Sequence, residues 1–141
     1  MTYPPYSAGR PPNGMTAILA GGLAILISSA HLSTSVVLLL LATSPLRVVL
    51  LVGCLLLAGL LVSGAILLFL RKATGRVLVI IGNIGTMAGL GVVAILRSVD
   101  RSLLGPFTSF SFELVLLAVM IPVDIVLLLV QPTSAWLARS A

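Results

Sequence analysis

Two ionisable side chains, His31 and Asp124, lie inside long apolar stretches of this sequence. An ionisable residue at the bilayer centre costs about 2.5 to 3.5 kcal/mol on insertion scales, so it is expected to face the interior of a helix bundle. Two roles suit these residues. They can carry protons or ions. Alternatively, they fix helix register, either as a buried polar pair or with Asp124 protonated and bonded to serines.

The sequence places the two residues at a similar depth. His31 precedes Ala42, the predicted end of the first helix, by 11 residues, and Asp124 follows Glu113, the predicted start of the fourth, by 11 residues. At a rise of 1.5 Å per residue, both lie about 16 Å from the outer ends of their helices. We therefore predict that His31 and Asp124 meet as an intramembrane polar pair.

The sequence lacks suitable residues for binding a metal ion or a dinucleotide. One histidine and one cysteine, Cys54, cannot supply a paired metal-binding motif. Residues 89–94 match a G-x-G-x-x-A dinucleotide pattern, but no strand precedes them. Asn83 is interpreted as a packing residue, with a hydrogen bond across helices as the alternative. We predict no enzymatic activity, no metal and no cofactor.

The elements that position these residues are four apolar stretches. Hydrophobic residues make up 60% of the 141 residues and charged residues 8%, and about 20 apolar residues suffice for a helix to cross a bilayer. We predict an all-α, polytopic membrane protein, a four-transmembrane-helix bundle with helices at 15–42, 46–70, 77–96 and 113–131. Residues 1–14 form a proline-rich, disordered cytoplasmic tail, and residues 132–141 form a short C-terminal one.

An alternative for the first stretch is a signal peptide cut after Ala30, because Ser28 and Ala30 are small residues at suitable positions. An uncut helix is favoured, since the apolar pattern resumes at residues 36–41 and no exported hydrophilic domain follows.

The basic residues indicate orientation. The net charge of +5 comes from residues at the ends of apolar stretches, a pattern of membrane topology and not of nucleic-acid binding. Arg71, Lys72 and Arg76 mark one short loop. One side holds Arg10, Arg71, Lys72, Arg76 and Arg139, and the other holds Arg47, Arg97 and Arg101. The positive-inside rule then places both termini in the cytoplasm of a plasma membrane.

Small residues mark the faces expected to pack. They recur at helical spacing in three of the stretches, where they let helix backbones approach closely. The candidates are Gly21 and Ser28, then Gly59 and Ser63, then Gly82, Gly85 and Gly89. Each strip suits either packing within the chain or an interface with a homo-oligomer or a membrane-protein partner.

Three segments of the sequence are similar to those of a known group of proteins. They are residues 9–20, the Leu-Arg-Lys-x-x-Gly-Arg turn at 70–76, and the Gln-Pro-Thr-Ser-Ala-Trp-Leu segment at 131–137. Together they resemble small four-helix membrane proteins of actinobacteria, mycobacteria especially. The resemblance implies a bacterial plasma membrane and a proline-rich cytoplasmic tail, and it brings no activity with it.

The function predicted from these features is a non-enzymatic integral membrane protein, an accessory or scaffolding subunit whose small-residue faces bind other helices. The alternative is a small proton-coupled transporter or channel component that uses His31 and Asp124. The two differ in whether Asp124 changes charge during function.

Overall fold

Four α-helices make up the described part of the chain, residues 14–40, 44–99 and 111–130 of a computed structural model. Helix α1 spans Met15–Leu40, α2 spans Pro45–Phe69, α3 spans Ala73–Val99 and α4 spans Ser111–Leu129. The all-α prediction is confirmed. The predicted tails fall mainly in residues 1–13 and 131–141, outside the described ranges.

Apolar side chains cover most of the outside of this bundle, and several polar side chains lie within it. Leu40 is 78% exposed and Val49 67%, whereas Asn83 and Asp124 are fully buried. Such a distribution suits a hydrocarbon surrounding, where exposed leucine and valine contact lipid. Helices α1, α2 and α3, of 26, 25 and 27 residues, are long and apolar enough to cross a membrane. The apolar part of α4, Val115–Leu129, is shorter.

The helices pack in a ring in which each packs mainly on two neighbours. Helix α1 packs on α2 and α4, and α3 packs on α2 and, less extensively, on α4. Large side chains from all four helices fill the centre: Ile27, Leu61, Leu68, Val79, Ile121 and Leu128. Helix α4 is therefore the least embedded of the four.

The turn between α2 and α3 is shorter than the loop predicted at residues 71–76. The Lys72 amide donates to the Leu67 carbonyl (2.8 Å) and the Arg71 amide to the Leu68 carbonyl (2.9 Å). This pattern is a Schellman motif, in which the residue after the helix cap is left-handed. Arg71 has φ 58. Because the motif reverses the chain at once, α3 begins at Ala73, and Arg76 lies in its first turn.

Glycine suits the left-handed position better than any residue with a Cβ. We expect Arg71→Gly to be more stable than Arg71→Ala by about 1 kcal/mol, because both variants lose the arginine side chain and only alanine keeps the steric cost. Thermal denaturation of both variants in the same detergent provides the measurement. Equal midpoints would contradict the expectation.

Close contact between α2 and α3 depends on two glycines that face each other. A Cβ added at Gly75 would lie 2.5 Å from the Leu68 backbone nitrogen and 2.7 Å from the Gly64 carbonyl oxygen. A Cβ at Gly64 would lie 2.9 Å from the Val79 backbone nitrogen. Because backbone atoms cannot rotate away, only glycine fits at these two places.

Candidate functional site

His31 lies in the interior of the bundle and is hydrogen-bonded to α3. Its Nε2 atom is 2.9 Å from the Thr86 hydroxyl oxygen, and the imidazole is 8% exposed. The Thr86 hydroxyl donates its one hydrogen to the Gly82 carbonyl at 2.9 Å. The hydroxyl oxygen must then accept from His31, so the neutral imidazole carries its hydrogen on Nε2.

Asp124 is fully buried and also bonds to α3. The Asn83 Nδ2 atom donates to Asp124 Oδ2 at 2.8 Å, and Asn83 is fully buried as well. Among the described residues, Asp124 makes this one hydrogen bond and no ion pair. The hydrogen bond from Asn83 to Asp124 therefore links α3 to α4, the helix that packs least against the others.

His31 and Asp124 thus have separate partners on α3 in place of the direct pair expected from sequence. Thr86 and Asn83 are three residues apart, which separates the two contacts by about 4.5 Å along the helix axis. Counting residues from predicted helix ends does not resolve an offset of this size, because one turn of a helix already rises about 5.4 Å.

Two acceptor oxygens in this layer have no hydrogen-bond partner. They are Asn83 Oδ1 and Asp124 Oδ1, and both are buried. They belong to the two groups already joined by the bond from Nδ2 to Oδ2. Buried acceptors without donors are uncommon, so two of them within one contact single out this pair of side chains.

Serines on α1 complete the polar layer on its other side. The Ser28 hydroxyl donates to the Ala58 carbonyl of α2 at 3.2 Å, which joins two helices. The Ser35 hydroxyl donates to the His31 carbonyl at 2.8 Å. Ser28 and Ser35 are both buried. Hydroxyl groups on this face are therefore satisfied inside the protein and do not reach lipid.

The predicted packing glycines divide into an inner and an outer group. A Cβ at Gly21 would lie 2.6 Å from the Phe69 ring, one at Gly82 2.8 Å from the Leu61 side chain, and one at Gly85 2.6 Å from Leu57. Nothing lies within 4 Å of a Cβ at Gly59 or Gly89. Side chains of α2 pack against the first three glycines, and the last two face open space.

Ser63, predicted together with Gly59, is also on the outer surface. It is exposed, and its hydroxyl donates to the Leu60 carbonyl of its own helix at 3.1 Å. Gly59 is exposed as well. We call Gly59 and Ser63 the outer strip of α2.

A cavity of about 280 Å³ lies between α1 and α4. Ser29 and Ser33 contribute its hydroxyls, and leucine and methionine side chains form much of the rest. Both hydroxyls donate to carbonyls of α1, to Leu26 at 2.7 Å and to Ser29 at 3.0 Å. The cavity thus suits an apolar side chain or acyl chain better than a polar ligand.

Comparison with protein families, with curated proteins and with solved structures finds no match. The geometry of the site therefore carries the functional argument. Within the described residues, no group of three or more His, Cys, Asp or Glu side chains is placed to hold a metal ion.

Sequence reasoning missed Thr86. It lies three residues after Asn83 and four after Gly82, so the three share a face of α3. Threonine commonly bonds to the carbonyl four residues earlier, which hides its hydroxyl from a polarity pattern. The available signal was the coincidence of Asn83 and Thr86 on one side of a segment, residues 77–96, whose other residues are apolar or glycine.

Thr86→Val should destabilise the bundle by about 1 kcal/mol, because it removes the acceptor for His31 and leaves a buried N–H group unsatisfied. Thr34→Val is the matched control, since Thr34 bonds only to the Ala30 carbonyl of its own helix. Thermal denaturation in detergent compares the two. Equal losses would show that the bond between His31 and Thr86 contributes nothing.

Proposed function

We propose that this chain is a non-enzymatic integral membrane protein that acts as an accessory or scaffolding subunit. Its partner is a transmembrane helix of another membrane protein, which packs on the outer strip of α2. The proposal is carried by one observation, namely that a predicted helix-packing pair, Gly59 and Ser63, is exposed and packs against no other helix in the described part of the chain.

The cost of glycine supports this assignment. Glycine within a helix is less favourable than alanine by about 1 kcal/mol, and a close backbone approach offsets that cost. Gly64 and Gly75 have such an approach between α2 and α3, but Gly59 has nothing within 4 Å of its Cβ position. Small residues separated by four positions are a common contact for a second helix in lipid. A partner helix would supply the approach that Gly59 lacks.

The matching experiment is purification in mild detergent with quantitative mass spectrometry. Gly59→Leu should lose a stoichiometric partner. Gly91→Leu should keep it, because Gly91 is an exposed glycine of α3 with nothing within 4 Å of its Cβ position. A partner retained by both variants, or a chain that purifies alone, would refute the role.

The proposed setting is a bacterial plasma membrane crossed four times, with both termini in the cytoplasm. Helix α4 supports the fourth crossing because its 19 residues extend about 28 Å, close to the thickness of the hydrocarbon core. The orientation depends on Arg71 and Lys72, both exposed in the α2–α3 turn, and on Arg76 beside it.

Alkaline phosphatase fusions test this orientation. A fusion at Thr74, beside the basic turn, should be inactive, and a fusion at Ser109 should be active, because the enzyme matures outside the cytoplasm. Both fusion proteins must be shown to accumulate equally. The reverse pattern would invert the orientation. Activity at both points would exclude a crossing of the membrane by α3 between them.

A second candidate, a small proton-coupled transporter or channel component, is favoured by the two buried polar contacts that α3 makes with His31 and Asp124. Reconstitution in vesicles with a pH-sensitive dye tests it. Asp124→Asn should abolish proton movement while the protein stays folded, because an amide cannot titrate. No proton movement with the unmodified chain would exclude this candidate.

A further inference from the structure

The contact between Asn83 and Asp124 is incomplete in a way that points to a ligand. Asn83 donates one hydrogen to Asp124 Oδ2, while the Oδ1 atoms of both side chains lack a partner. A carboxylate and an amide oxygen are both acceptors, so they cannot satisfy each other. One hydrogen placed between the two groups would satisfy both oxygens.

We propose that Asp124 and Asn83 form an intramembrane proton-binding site, in which the Asp124 carboxyl binds a proton on Oδ1 and donates it to Asn83 Oδ1. The O–H bond forms when the carboxylate takes a proton from a hydronium ion, whose own O–H bond breaks and leaves a water molecule. The product is a cyclic acid–amide pair, closed on its other side by the bond from Asn83 Nδ2 to Asp124 Oδ2.

The surroundings favour a neutral acid over an ionised one. Among described residues, the titratable side chains of the helices packed against α4 are His31 on α1 and Arg76 and Arg97 on α3. His31 bonds to Thr86, and the arginines lie 7 and 14 residues from Asn83, about 10 and 21 Å along the axis. Asp124 makes no ion pair with any described residue, so a carboxylate would be buried there without a cation.

The alternative ligand is a monovalent cation. It would have the same two Oδ1 atoms as ligands, one from a carboxylate and one from an amide, and the described residues hold no group of three or more His, Cys, Asp or Glu side chains placed to bind a metal ion. A metal cation needs several oxygen ligands, about six to eight in the case of calcium, whereas a proton needs one covalent bond to a donor and one acceptor. The number of available oxygens therefore favours the proton. The site does not depend on the partner-binding role of α2, and it exists whether or not protons cross the membrane.

Carbon-13 magnetic resonance can read the protonation state directly. The sequence contains two aspartates, Asp100 and Asp124. In an Asp100→Asn chain made by cell-free synthesis with aspartate labelled at the side-chain carboxyl, Asp124 gives the only labelled signal. The folded chain in lipid bilayers at neutral pH should show a carboxylic-acid signal, and the same chain unfolded in denaturant should show a carboxylate signal.

The sharing of the proton has its own readout. Asparagine is present at positions 13 and 83, so Asn13→Gln allows selective labelling of the Asn83 carboxamide without a change in the site. Its carbonyl signal should move when Asp124 is replaced by Leu, because leucine removes the acid donor and adds no second labelled asparagine. A carboxylate signal from folded Asp124, with or without sensitivity to sodium or potassium, would overturn the proposal, as would an Asn83 signal that does not move.

Discussion

Gly75→Ala should lower the free energy of unfolding by about 3 kcal/mol, the upper end of the cost of overpacking. The added Cβ would lie 2.5 Å from the Leu68 nitrogen and 2.7 Å from the Gly64 oxygen, and all of its nearest contacts are backbone atoms. The α2–α3 contact would therefore have to open, which would also strain the turn at Arg71. Reversible unfolding in mixed micelles provides the measurement.

Gly91→Ala is the matched control for that prediction. Both changes add one methyl group to a glycine of α3, but the Cβ at Gly91 meets nothing within 4 Å. Because alanine is the better helix former, the control should be neutral or slightly stabilising. Comparable losses in both variants would mean that the contact between α2 and α3 is not as close as described.

Asp124→Leu should destabilise the bundle by about 2 kcal/mol. Leucine offers no acceptor, so the buried Asn83 amide loses its partner, and α4 loses its polar attachment to α3. Asp124→Asn should be close to neutral, because its carboxamide oxygen can still accept from Asn83 and its own N–H group can donate to Asn83 Oδ1. The same unfolding assay compares the two variants. A larger loss for Asn than for Leu would contradict this description of the contact.

The general fold followed from composition, because a stretch of apolar residues in lipid must form a helix. The helix ends were less predictable. Helix α3 begins at Ala73 and not at 77 because Arg71 adopts a left-handed conformation. The residue types around Arg71 do not predict that conformation. Polar residues directly after an apolar stretch predict a loop, whereas Thr74 and Arg76 lie in the first turn of α3.

The site was predictable in its members and less so in its pairing. Burial of His31 and Asp124 follows from the cost of a polar group in lipid. Their partners depend on offsets of a few ångströms between helices, which counting residues from approximate helix ends does not resolve. Gly64 and Gly75 belong to different helices, and their close approach depends on the angle and register of α2 against α3, which the spacing within one helix does not encode.

We propose that the outer strip of α2 contacts a helix of another protein in the membrane. Site-specific photo-cross-linking in native membranes tests this most directly, with the cross-linker at Ser63 and a control at Ile84, an outward residue of α3 that is 59% exposed. We predict one protein adduct of discrete mass from position 63, lost on Gly59→Leu, and only lipid adducts from position 84. Lipid adducts alone at both positions, or the same protein adduct from both, would contradict the account.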